Sequence, residues 1–149
     1  MRIFAFILCL FFAANLSGQV KVLQYGWLEN FTSSGGIDAA DWVYIDETDG
    51  KVYLADAFTP PYKPAMGIAL QNAAGVDDPV QVLFSGVIKW PSGALTPGAE
   101  YYLSGSVPGF MQKPIPPWAQ ILGHAITDSI FQINISYYTP PELGTPESG

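Results

Sequence analysis

The sequence contains very little cysteine or positive charge. Its one cysteine, Cys9, lies inside an N-terminal apolar run, so the rest of the chain can form neither a disulfide nor a thiolate zinc site. Six lysines and arginines stand against thirteen acids, giving a net charge of −7. Because nucleic acids and anionic membrane surfaces are held by clustered basic residues, we expect neither as a partner.

Histidine is equally scarce. His124 is the only one, and it lies between Gly123 and Ala125 in an apolar run. Catalysis would require a nucleophile and an orienting group beside it, and the neighbouring sequence nominates neither. We therefore expect His124 to pack or to face solvent, and we expect no catalytic residue, no cofactor and no metal site.

The N-terminus has the parts of a secretory signal peptide. Arg2 supplies a positive charge, residues 3–14 carry no charge, and the small residues Ser17 and Gly18 follow. The sequence predicts a signal peptide over residues 1–18, secretion, and no membrane attachment after cleavage. The alternative is a retained anchor, but a spanning helix needs about 20 apolar residues and this run is shorter.

The composition favours strands and turns over helices. Aromatic residues make up 14% of the chain, and 15 glycines and 13 prolines punctuate it. We predict an all-β fold: one compact domain over residues 19–138, a β-sandwich or barrel of seven to nine short antiparallel strands. Residues 139–149, rich in proline and glycine, should form a flexible tail.

Alternation of apolar and polar residues locates several strands. Residues 41–46 and 51–55 flank the turn at Asp49-Gly50 and predict a hairpin. Residues 30–38 are loop by composition. Residues 65–70 favour a strand, although residues 69–74 could instead form one helical turn. In the long apolar run of residues 80–90, Gly86 predicts a bulge or a close backbone approach.

Two groups of side chains are candidates for binding. The segment Asp46–Gly50 gathers three carboxylates, as a calcium site would, but it lacks the spacing of a calcium loop, so we expect a solvated hairpin tip. Aromatic side chains could stack on sugars or contact a protein, although such residues also fill β cores. The aromatic candidates are Trp90, Tyr101, Tyr102, Trp118, Tyr137 and Tyr138.

The order of short motifs resembles the small β domain of bacteriophage tail-fibre, head-fibre and related virion structural proteins. The resemblance covers about residues 41–136. It is carried by residues 43–46 (VYID), 50–53 (GKVY), 66–69 (MGIA), 82–87 (VLFSGV), 95–104 (LTPGAEYYLS), 108–109 (PG) and 122–125 (LGHA).

This resemblance implies a non-enzymatic structural or receptor-contacting module, commonly a homotrimer. Virion proteins assemble without export and need no signal peptide. The predicted signal peptide therefore keeps two alternatives open, a secreted or surface protein and a virion component. The sequence therefore favours a secreted or virion-associated structural or adhesive module that self-associates and contacts a glycan or a cell-surface receptor. The alternative is an extracellular carbohydrate-binding module.

Overall fold

Short strands account for all the regular structure described in the computed structural model, which covers residues 19–91 and 93–136. Within these ranges no helix occurs. The eleven strands are β1 Lys21–Tyr25, β2 Leu28–Thr32, β3 Trp42–Ile45, β4 Val52–Leu54, β5 Gly67–Ala69, β6 Pro79–Leu83, β7 Gly86–Lys89, β8 Glu100–Leu103, β9 Met111–Gln112, β10 Ile121–Ala125 and β11 Ile130–Ile133.

These strands form two antiparallel sheets. The first has six strands in the order β1-β7-β11-β10-β8-β9, and the second has five in the order β2-β6-β5-β3-β4. The predicted all-β, sandwich-like fold is confirmed. The strand count exceeds the expected seven to nine, partly because two short strands, β2 and β9, were not predicted.

The two sheets are joined along one side by a bent two-stranded ribbon, in which β1 and β2 form one half and β6 and β7 form the other. β1 pairs with β7 in the first sheet, and β2, which follows β1, pairs with β6 in the second. The ribbon crosses between the sheets where Gly26 N donates to Ser85 O at 3.0 Å and Trp27 N donates to Ser85 Oγ at 3.0 Å. The apolar run of residues 80–90 is therefore two strands in different sheets.

The main core lies between the sheets. Trp42 from β3 meets Phe131 from β11 edge to face, with ring centroids 5.8 Å apart. Ile68 and Leu83 from the second sheet and Leu122 from the first are also fully buried there. Burying such side chains is the principal favourable term in folding, at about 1.5–3 kcal/mol for each.

A smaller core covers the outer face of the second sheet. Val43, Val52, Val80 and Val82 point to this side, and Ile37 packs over them. The segment that carries Ile37 is fixed because Ile37 and Ala73 exchange backbone hydrogen bonds at 3.2 and 2.8 Å. Both faces of this sheet are thus covered along its central strands.

Several local predictions are confirmed. β3 and β4 form the hairpin, β5 is a strand, and no helical turn occurs over residues 69–74. The loop expected from residue 30 is wrong for Asn30–Thr32, which belong to β2, because Phe31 packs against Phe84 and the backbone pairs with β6. The predicted signal peptide and tail lie outside the described residues.

Candidate binding site

A cavity of about 300 Å³ opens at one end of the sandwich. Its lining comes from the turn before β3, the residue after β7, the loop before β8 with one residue of β8, and the segment that enters β9. Its wall is largely apolar: Ala39, Ala40, Ala94 and Gly109 leave the space open, and larger side chains enclose it. Those larger side chains are Trp90, Leu95, Tyr101, Phe110 and Met111, with Asp41 as the one carboxylate.

Asp41 is held by a tight turn immediately before β3. Its Oδ2 accepts a hydrogen bond from Asp38 N at 2.8 Å, and its N–H donates to Asp38 O at 3.1 Å. Asp41 O accepts from Ala69 N at 2.9 Å, which ties the turn to β5. Ala40, at the centre of the turn, has φ 76°, a conformation that non-glycine residues seldom adopt. The carboxylate is therefore fixed in place.

The environment of Asp41 is unusual for a carboxylate. The residue is 8% exposed, and burial raises its pKa to about 6, opposed by the hydrogen bond from Asp38 N and reinforced by the negative charge of Asp38. In the part of the chain that the structure describes, Oδ1 has no hydrogen-bond partner and Asp41 forms no salt bridge. A desolvated carboxylate without a cation can gain from a ligand that supplies one.

The aromatic wall is fixed by the core behind it. Phe131 contacts both Trp90 and Tyr101, with ring centroids 6.0 and 5.9 Å away. Trp90 N donates to Ser129 O at 2.7 Å, and the Tyr101 hydroxyl accepts a hydrogen bond from Thr96 N at 2.9 Å. These rings are thus preorganised, and a ligand would not need to order them.

The structure brings two of the predicted aromatic residues together and places two others elsewhere. Trp90 and Tyr101 line the cavity, but Tyr101 is buried, so it does not present an open surface ring as expected. Tyr102 points to the opposite face of β8 and lies near Glu100. Trp118 packs on Tyr62, with ring centroids 4.6 Å apart. Tyr137 and Tyr138 lie outside the described residues.

Sequence reasoning missed Asp41, Phe110 and Met111 as members of this site. Asp41 directly precedes the strand residue Trp42, which gave it the appearance of an ordinary polar flank. Phe110 and Met111 lie far along the chain and enter the site because Gly109 O accepts a hydrogen bond from Trp42 N at 2.8 Å. Nothing in the neighbouring sequence predicts this contact between Trp42 and Gly109.

The acidic segment Asp46–Gly50 is a hairpin tip whose carboxylates serve the turn. Asp46 Oδ1 accepts from both Thr48 N and Thr48 Oγ1, and Asp49 accepts from Lys51 N at 2.9 Å and from the Tyr53 hydroxyl at 2.7 Å. Hydrogen bonds from Thr48 hold the pKa of Asp46 below its usual value. Within residues 19–91 and 93–136, no group of three or more His, Cys, Asp or Glu could hold a metal ion.

His124 is half-buried in β10, where it pairs with Gln132 on one side and Glu100 on the other. It does not line the cavity, and Asp41 is the only charged residue among the described residues that do. The nearby turn uses Asp128 O and Ser129 O to accept backbone hydrogen bonds from Leu95 and Trp90. His124 therefore lies within a strand ladder and outside the cavity wall.

Three large apolar side chains in and just after β1 are exposed to solvent. Leu23, Tyr25 and Trp27 are 45%, 62% and 59% exposed. Trp27 is nevertheless held, because its ring packs against Phe84 at 4.9 Å and its Nε1 donates to Glu29 Oε2 at 2.9 Å. We call these three side chains the ribbon patch.

Comparison with protein-family models and with curated proteins yields no match. No protein-family model matches the chain, and no curated protein matches it either. Over the two described ranges, no helix has the length and apolar character needed to cross a membrane. The fold and these two surfaces, the cavity and the ribbon patch, therefore carry the functional argument.

Proposed function

We propose that the chain is a non-enzymatic structural or adhesive β module that acts through self-association and surface contacts. The observation that carries this proposal is the ribbon patch. Large apolar side chains cost solvation free energy when they stay in water, and Trp and Tyr are the residues that most often dominate protein–protein contacts. The partner proposed first is a second copy of the chain.

The position of the patch supports contact through side chains. β1 and β2 are edge strands of their sheets and lie on the same side of the sandwich. A bulge at Leu23 interrupts the register between β1 and β7, and such irregularities disfavour the addition of another strand. Packing of Tyr25 and Trp27 against an equivalent surface avoids this obstacle.

Preorganisation lowers the cost of such a contact. The Trp27 ring is already fixed by Phe84 and Glu29, so little side-chain entropy is lost when a partner covers it. The charged residues of the chain are predominantly acidic, so contacts between copies should avoid their acidic turns and use the apolar patch. A homotrimer, secreted or within a virion and fibre-like in role, is the form of assembly we propose.

Carbohydrate binding is the second candidate, and the geometry supports it less well. Of the four predicted aromatic residues that the structure describes, only Trp90 and Tyr101 share a surface, and Tyr101 is buried. A glycan or receptor contact made by an assembled trimer is compatible with the first proposal, because the cavity and the ribbon patch are different surfaces.

Light scattering after size exclusion tests self-association. We expect the parent protein to form trimers at about 10 µM. We expect Tyr25→Ser with Trp27→Ser to raise the dissociation constant at least about thirtyfold, because the loss of even one aromatic hot spot costs about 2 kcal/mol or more. Val76→Ser, which changes an exposed apolar side chain elsewhere, is the matched control. A parent protein that runs as a monomer at this concentration would contradict the proposal.

A further inference from the structure

We propose that the cavity at the end of the sandwich binds a small organic ammonium ion: a protonated or quaternary amine on a short apolar body. Nothing in this inference depends on self-association. It rests on the charge of Asp41, the aromatic wall and the size of the space.

The charge balance inside the cavity calls for a cation. Asp41 is the one charged side chain in the wall among the described residues, and the charge that acts on it most strongly is another carboxylate, Asp38. The two described lysines that form polar contacts have partners other than Asp41. Lys51 pairs with Asp77 at 2.9 Å, and Lys113 donates to Thr96 Oγ1 at 2.9 Å. A ligand that brings a positive charge to Oδ1 would supply the partner that the chain itself does not.

The aromatic wall fits the same ligand. Rings of Trp90, Tyr101 and Phe110 line the space, and the faces of such rings attract ammonium groups, most strongly where water is excluded. Trp90 and Tyr101 are fixed by Phe131, whereas Phe110 is 57% exposed at the rim. The cation would thus meet a carboxylate on one side and aromatic carbon on others.

The size and polarity of the cavity limit the rest of the ligand. Its volume of about 300 Å³ is at the lower end of the range for small-molecule pockets, about 300–1,000 Å³. Ala39, Ala94, Leu95 and Met111 offer only apolar side-chain surface. A neutral sugar needs several hydrogen-bonding side chains, and the Tyr101 hydroxyl already accepts a hydrogen bond from Thr96 N. A compact, mostly apolar cation suits this wall better.

The test uses choline and its uncharged carbon isostere, 3,3-dimethylbutan-1-ol, as probes. Each is titrated into ¹⁵N-labelled protein near neutral pH, and binding is followed by NMR through the Trp90 indole N–H and the backbone amides of Ala94 and Leu95. We expect saturable shifts with choline centred on these groups. The isostere should bind about 5- to 30-fold more weakly, because the electrostatic part of the contact, about 1–2 kcal/mol, is lost.

Two variants locate the binding. Asp41→Asn keeps an oxygen that can accept from Asp38 N and should lower choline affinity at least about fivefold. Ala94→Phe fills the cavity from an exposed position and should abolish the shifts, while Ala74→Phe, at an exposed position away from the cavity wall, should leave them unchanged.

Several results would overturn the inference. Equal affinity for choline and its isostere would remove the role of charge, and unchanged binding by folded Asp41→Asn or by Ala94→Phe would place any site elsewhere. Glucose that shifts the cavity resonances where choline does not would replace the cation with a sugar.

Discussion

Gln120 forms hydrogen bonds with both backbone groups of Ala65. Its Oε1 accepts from Ala65 N at 2.8 Å, and its Nε2 donates to Ala65 O at 2.9 Å. Both residues are buried, and they connect the approach to β10 in one sheet with the approach to β5 in the other. A side chain thus supplies the pairing that a strand neighbour provides elsewhere.

Gln120→Leu should destabilise the fold by about 2–4 kcal/mol, because it leaves two buried backbone groups without partners. Equilibrium unfolding in guanidinium chloride measures this loss. Gln132→Leu is the matched control: Gln132 is exposed on β11, so its replacement should change the free energy of unfolding by less than about 0.5 kcal/mol. If the two variants have equal stability, the link between Gln120 and Ala65 is not a significant contributor.

Gly86→Ala should destabilise the fold far more than Gly98→Ala. A Cβ at this position would lie 2.4 Å from Gln24 O, where the ribbon strands approach each other closely. We expect the free energy of unfolding to fall by at least about 3 kcal/mol, because the added Cβ displaces a strand. Gly98→Ala is the control, since Gly98 has φ 82° but open space around it, and the change should cost about 1–2 kcal/mol of backbone strain. Equal losses in thermal unfolding would contradict the close approach.

The titration of Asp41 should make stability fall as pH rises. Burial raises its pKa from 3.8 to about 6, so between these values the folded protein binds more protons than the unfolded chain. The resulting loss begins near pH 4 and is complete above about pH 6.

Asp41→Asn removes this loss. We expect the free energy of unfolding of the variant to exceed that of the parent by about 1–2 kcal/mol at neutral pH, and to show no gain below about pH 4. This value is reduced because solvent reaches the cavity. Denaturant unfolding across a pH series measures the difference. Glu47→Gln, at the exposed hairpin tip, should follow the parent throughout. A difference for Asp41→Asn that does not vary with pH would refute the assignment.

Asp49→Asn should lower the pKa of Tyr53. That pKa is raised to about 12, first because the Tyr53 hydroxyl donates to Asp49 Oδ2 and then through burial and the negative charges of Asp49 and Asp46. Loss of the charged acceptor should return the value toward 10. Carbon-13 NMR of labelled tyrosine follows the titration, with Glu47→Gln as the control. An unchanged pKa in Asp49→Asn would show that this hydrogen bond does not form in solution.

Features that depend on neighbouring residues could be read from the sequence. The hairpin around Asp49-Gly50 and the close approach at Gly86 both follow from local patterns, as does the burial of Phe131 opposite an exposed Gln132. Asn30–Thr32 could not be recognised as a strand, since its polar side chains face water along a sheet edge and its pairing partner is β6.

The cavity was predictable only in part. Trp90 and Tyr101 were candidates because aromatic side chains are versatile binding groups, but their sequence positions did not indicate that they would meet. Asp41 joins them through the turn before β3, and Phe110 joins through the hydrogen bond between Trp42 and Gly109. Such a site is created by the packing of two sheets, which no single stretch of sequence encodes.

The bent ribbon has a consequence for how quickly the protein folds. Its early strands depend on late partners, since Lys21 pairs with Lys89 and Leu28 pairs with Leu83. These strands must close large loops before they gain pairing energy, and domains rich in such long-range pairings fold in milliseconds to seconds. During synthesis, β1 and β2 therefore remain without their sheet neighbours until β6 and β7 have been made.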